Sequence, residues 1–124
     1  MRAKLKRMAR NTEGNHPTLT KLRKLCKRLP ETAEVEAWGH PTFRVRNKIF
    51  AGFGTSEGGA SVGCKQTHVD QAALVKDPRF SVAKYVGRYG WISIDAEKVQ
   101  WSMIEDLVLR SYRLIAPKTL AKQV

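Results

Sequence analysis

The side chains able to do acid–base, nucleophilic or metal chemistry are few and dispersed. His16, His40 and His68 lie 24 and 28 residues apart, with neither a His-x-x-x-His nor a Cys-x-x-Cys spacing to gather a metal. His68 and Asp70 stand two apart, a spacing that points both one way only in a strand, so they read as a structural pair at most. No serine sits in a Gly-x-Ser-x-Gly elbow. The glycine-rich stretch from Gly52 to Gly63 matches neither G-x-G-x-x-G nor G-x-x-x-x-G-K-[ST] and leads from strand to strand, so a flexible hairpin loop is expected, not a phosphate cradle. No enzyme, no cofactor and no metal site is expected from these residues.

What the sequence does offer is cationic charge. The formal net charge is +12. Residues 1 to 28 hold ten Lys/Arg against Glu13 alone, and residues 110 to 124 hold four basic residues and no acid. Between them, residues 29 to 109 carry nine basic and ten acidic residues, close to neutral. A surplus gathered at the chain's ends points to a face for phosphates, anionic lipid or acidic protein. No run of 18 apolar residues is present, and the first ten residues lack a signal-like apolar core, so no membrane span is expected. Cys26 and Cys64 form neither a disulfide framework nor a zinc knuckle, and are expected to be reduced, packed and inert in a cytoplasmic protein.

The elements that must position these charges follow from periodicity. Residues 1–15 read as a basic flexible tail, either a solvated leader or an arm that orders on a polyanion. A helix is expected from Pro17, with Leu19, Leu22, Leu25, Cys26 and Leu29 on one stripe and Lys21, Arg23, Lys24, Lys27 and Arg28 opposite; Leu29-Pro30 ends it. Like charges at Arg23/Lys27 and Lys24/Arg28 repel, so the helix carries a small self-imposed cost. Thr32 to Ala37 reads as a short strand with Val35 and Ala37 on one side. Thr42 to Val45 and Lys48 to Phe53 form a hairpin about Arg46-Asn47, with Trp38, Gly39 and Pro41 as its hinge. Phe43 and Val45 then face inward, so Arg44 and Arg46 face out, with Lys48 just past the turn: a wing-like tip, or ordinary charge protection of an edge.

Ala60 to Gln66 reads as the returning strand, with Val62 and Cys64 inward and Lys65 on the other face. His68 to Lys76 reads as a short helix, apolar at Val69, Ala72 and Ala73, with Val75 as a further candidate. Arg79 to Gly90 is loop-like, with Phe80, Tyr85, Val86 and Tyr89 either capping the sheet edge, the expected role, or presented for stacking. Gly90 to Asp95 is a last strand. A closing helix from near Gln100 carries the seam Trp101, Ile104, Val108, Tyr112 and Ile115, with Arg110 opposite, and Ala116-Pro117 stops it before a short basic tail at 118–124. One α+β domain over residues 16–117 is therefore expected: a two-layer sandwich with an antiparallel sheet of about five strands, covered on one side by the N- and C-terminal helices.

The segments Trp38-Gly39-His40-Pro41-Thr42-Phe43, Lys48-Ile49-Phe50-Ala51, Gly90-Trp91-Ile92 and Ser111-Tyr112-Arg113-Leu114-Ile115-Ala116-Pro117-Lys118 resemble the MmcQ/YjbR family of small bacterial proteins, over about His16 to Leu120. The resemblance implies a CyaY-like (frataxin-like) fold and, by the label its members often carry, DNA binding. Iron binding in that fold relies on an acidic helix edge, and here the corresponding helix is basic. The expectation is thus a monomeric, non-enzymatic nucleic-acid-binding protein, DNA before RNA, that meets phosphates through Lys21, Arg23, Lys24, Lys27, Arg28, Arg44, Arg46 and Lys48. The alternative is a module for a protein or acidic ligand on the open sheet face around Trp38, His40, Lys65 and Trp91.

Overall fold

In the computed structural model, which describes residues 16–124, His16 starts the first helix by an unusual route. Its Nδ1 accepts from the Thr18 amide at 3.1 Å, taking the place of a Ser or Asp cap, and Pro17 fills the first helical position. Helix α1, Pro17–Arg28, buries Leu19, Leu22, Leu25 and Cys26, the expected stripe, and Leu29 leaves the helical conformation to end it. The expected tail lies outside the described residues.

Six strands follow, with two helices set among and after them: β1 (Thr32–Ala37), β2 (His40–Val45), β3 (Lys48–Ser56), β4 (Gly59–Lys65), α2 (His68–Leu74), β5 (Phe80–Val82), β6 (Trp91–Asp95) and α3 (Trp101–Ile115). A last short helix, α4, spans Lys118–Ala121. The sheet runs β1-β2-β3-β4-β6-β5, and every neighbouring pair is antiparallel. The sixth strand is β5, hidden in the segment read as a loop. Three residues are too few for an alternating pattern to register.

Both N-terminal hairpins close through two-residue turns in the left-handed region. Trp38 and Gly39 join β1 to β2 with φ of 51° and 79°, and Arg46 and Asn47 join β2 to β3 with φ of 46° and 67°. Such turns match the right-handed twist of the flanking strands, which is why Arg46-Asn47 makes the tight hairpin expected of it. The glycine-rich stretch corrects its expectation. Gly52 pairs with Gly63 and Gly54 with Ser61, so only Glu57 and Gly58 lie outside the strands. Backbone pairing needs no side chain, so the glycines can serve in both strands.

The inward face carries Phe43, Val45, Ala51, Phe53, Val62, Cys64, Ile92 and Ile94, all nearly inaccessible. α3 lies over β3 and β4, and α1 packs beside it against β1. The stripe that α3 buries is Ile104, Leu107, Val108, Ser111 and Tyr112; Trp101 and Ile115, expected in the seam, are only partly buried at its two ends. Tyr112 meets Phe50 edge to face at 5.3 Å, and its hydroxyl donates to the Pro30 carbonyl at 2.6 Å, tying α3 to the α1–β1 connection. Cys26 and Cys64 are buried and unbridged.

Two local expectations differ. Val69 is 80% exposed and α2 has no buried residue. Leu74 and Val75 at its end pack partly buried against the core, and polar contacts hold the rest, with Thr67 capping Asp70 and Gln71 Nε2 donating to the carbonyls of Gly87 (2.7 Å) and Trp91 (2.9 Å). The segment 118–124, read as a basic tail, contains α4 and buries Leu120 against the core. Among the described residues, no helix is long and apolar enough to cross a membrane.

Candidate functional site

Alternation along the strands separates the expected cations into two groups. Glu34, Phe43 and Ala51 share the helix-covered side of the sheet, whereas Ala33, Arg44 and Ile49 share the open side. The basic helix therefore sits in one layer and Arg44 points out of the other. No single plane holds both.

On α1, Lys21, Lys24, Lys27 and Arg28 are exposed. The three lysines make no ion pair among the described residues, while Arg28 Nη2 lies 3.5 Å from Glu105 Oε1. Arg23 turns toward β1 and grips the Glu34 carboxylate with two nitrogens, at 2.8 and 2.9 Å. Arg46 does the same to Glu31, both contacts at 3.1 Å, and its guanidinium holds that carboxyl below the usual range. Arg44 is half-buried, with Nε 3.4 Å from Thr42 Oγ1 and Nη1 3.4 Å from Asn47 Oδ1. Lys48 is exposed at the hairpin tip. Of the eight cations expected to meet phosphate, Arg23, Arg28 and Arg46 thus face a carboxylate already.

The open side of the sheet has a shape of its own. Successive register pairs carry one row across all six strands, Val35, Thr42, Gly52, Gly63, Ser93 and Ser81. That row is a low floor, because four of its six side chains are a hydrogen, a hydroxymethyl or nothing bulkier. The floor from Thr42 to Ser81 is the base of a cleft of about 570 Å³ whose lining also includes Trp38, His40, Gly54, Ser61 and Lys84. His40 leans on Gly54, where a methyl group would come within 3.6 Å of its Nδ1. A second cleft, about 620 Å³, is almost wholly apolar and is lined by Trp38, Ile49, Lys84, Tyr85, Val86 and Trp91. Lys65 is paired directly with Trp91 on this face. The four residues expected for a ligand face, Trp38, His40, Lys65 and Trp91, are thereby brought onto one surface.

Lys84 was not anticipated there, and Tyr85 takes the alternative role of an aromatic presented at the surface. Trp38 is 90% exposed and Tyr85 95% exposed, and both hold a left-handed backbone, at φ 51° and 68°. Bulky residues seldom accept that conformation, so the turns that impose it lift these rings clear of the fold. Capping, the role expected of the aromatics in 79–90, belongs to Phe80, which is buried; Tyr85 caps nothing and Tyr89 is half exposed beneath the Arg88 guanidinium. The sequence signal available was the density of aromatics in a segment without periodicity.

The remaining polar groups are occupied locally. His16 Nε2 lies 3.1 Å from Glu97, and His68 Nε2 donates to the Arg88 carbonyl at 2.8 Å, away from Asp70, which approaches Arg110 instead. Among the described residues, no group of three or more His, Cys, Asp or Glu is placed to hold a metal ion.

Comparison with known proteins extends this description. The family model for YjbR matches residues 27–114. A crystal structure of a Deinococcus radiodurans protein with a DUF419 domain superposes with a TM-score of 0.71 at 16% identity, covering 85% of this chain and 86% of that one. A Pseudomonas syringae protein gives 0.67 at 17% identity, covering 78% of this chain and 97% of that one. At such identities the shared property is the fold. No curated protein matches the chain.

Proposed function

The chain belongs to the YjbR family, and from that premise we propose that it is a nucleic-acid-binding domain, DNA before RNA, whose duplex affinity comes from phosphate contacts and not from catalysis. The observation that carries the reading is Lys21, Lys24 and Lys27, three exposed ammonium groups on one helix with no carboxylate partner among the described residues. Neighbouring acids pair with Arg23 and Arg28 instead. A helix face that keeps unpaired like charges is suited to an anion supplied from outside. Lys48, exposed at the hairpin tip and paired with the inward-facing Val45, extends the set, while Arg44 faces the other layer. The reading includes a monomer in a reducing cytoplasm, in keeping with two buried, unbridged cysteines.

The test is a salt titration with labelled duplex DNA. Neutralising the three lysines of α1 alone gives a slope of log K on log salt of about −2.7, and engaging Lys48 as well gives about −3.6. No binding at about 50 mM salt, or a flat response, rejects the reading. A second reading, an acidic protein segment on the open sheet face, is favoured by the cations Lys65 and Lys84 on that face. Partners retained after nuclease digestion and displaced by Trp38→Gly support it.

A further inference from the structure

We propose that the open face of the sheet holds unpaired nucleotides, their bases stacked on Trp38 and Tyr85 and their phosphates met by Arg44, Lys65 and Lys84, so that the domain prefers single strands to duplex. This rests on the nucleic-acid reading above and names the form of nucleic acid and a second surface for it.

Three features converge on that occupant. The first is the pair of rings. Trp38 and Tyr85 are almost fully exposed, packed against nothing and raised on left-handed backbone, and both line the apolar cleft. A base offers each ring a π-face of matching size, and only an unpaired base is free to leave its own stack and do so. The second is the floor. Gly52, Gly63, Ser93 and Ser81 leave the middle of the sheet low enough for a backbone to pass between the rims. The third is charge. Of the strand residues that register places on this face, Arg44 and Lys65 are cationic and Asp95 is the acid, and Asp95 lies two rows from the Lys65–Trp91 pair with its carboxylate accepting the Glu97 amide at 3.0 Å. Lys84 lines both clefts. Lys84 thus stands in the apolar cleft with both rings, and Arg44 and Lys65 are the register partners of Ile49 and Trp91, which line the same cleft, a complement to phosphates that alternate with bases. An acidic peptide would satisfy the lysines and leave both rings without a partner. A duplex would satisfy the lysines and keep its bases out of reach.

The experiment compares labelled oligothymidylate of about 12 nucleotides with an abasic strand of equal length and with a duplex, using anisotropy at low salt. Oligothymidylate is expected to bind at least about tenfold more tightly than the abasic strand, since stacking on each ring contributes about 5- to 140-fold. Trp38→Gly and Tyr85→Gly, chosen because glycine accepts the left-handed backbone without strain, are each expected to weaken oligothymidylate binding by that factor and to leave duplex binding unchanged. Trp38→Phe is expected to keep most of the affinity. Equal binding of the abasic strand, no effect of either glycine variant, or displacement by polyglutamate as effective as by oligothymidylate overturns the proposal while the phosphate reading of α1 stands. Failure of the unaltered protein to bind any of the three overturns both.

Discussion

Removing the hydroxyl of Ser111 should loosen the sheet at a place where its own ladder does not close. β3 bulges near Phe50, because the pairing with β2 shifts between Phe43 and Arg44. The β3–β4 register is regular from Ser56–Gly59 to Ala51–Cys64 and stops there. The next two backbone groups are taken up from α3: the Ser111 hydroxyl, itself inaccessible to solvent, donates to the Phe50 carbonyl at 2.6 Å and accepts from the Lys65 amide at 2.9 Å. Ser111→Ala leaves one carbonyl and one amide without partners. Each unsatisfied buried group costs about 1–3 kcal/mol. The Lys65 amide is only partly buried, so water recovers some of its share, and a total of about 2–3 kcal/mol is expected, a large fraction of a typical domain's stability. In urea denaturation this appears as a midpoint lowered by about 1–2 M at unchanged slope. A loss below about 0.5 kcal/mol would mean that the hydroxyl is not what closes the ladder, and the account of the bulge would be wrong.

Two further perturbations follow from polar and sulfur groups. Glu97 accepts from the Ala60 amide at 3.0 Å and lies 3.1 Å from His16 Nε2, and the Ala60 bond first, then His16, holds its carboxyl below the ordinary value of 4.5. A depressed folded value contributes stability that is present above the unfolded value and lost as pH falls through the folded one, so Glu97→Gln should lower the urea midpoint near about pH 7 and converge with the unaltered protein in acid; an undiminished difference there rejects the assignment. Burial pushes the thiols of Cys26 and Cys64 up to about 12, so a thiol reagent should label neither until the domain unfolds, and rapid labelling of the native protein would contradict the packing described.

The sequence discloses elements whose information is local. The Leu19–Leu22–Leu25–Cys26 stripe, the Arg46-Asn47 turn and the Ile104–Val108–Tyr112 seam are written in spacing, and they appear where spacing puts them. β5 is too short for its period to show, and the Gly52–Gly63 stretch looks like a loop because pairing of two glycine strands is decided by their partners. The candidate site is less legible still. Arg23, Arg28 and Arg46 look like free cations in one dimension, and their carboxylates arrive from 11, 77 and 15 positions away along the chain. Tyr85 is indistinguishable in sequence from Phe80, five residues earlier, yet one is at the surface and the other in the core, because only Phe80 lies on a strand facing the helices. Ser111 falls on the buried stripe of α3 but reads as a surface residue by type.

The left-handed turns under Trp38 and Tyr85 have a consequence for anyone redesigning this scaffold. A procedure that rewards folding energy alone would exchange both residues for glycine, gain from relieved torsion and lose nothing from the core. The product would be a sturdier sandwich with two bare turns. Thermal robustness and the recognition proposed for these rings are thus set against each other at two addresses in the chain, and a library scored only by melting temperature would select away from the second without recording its loss.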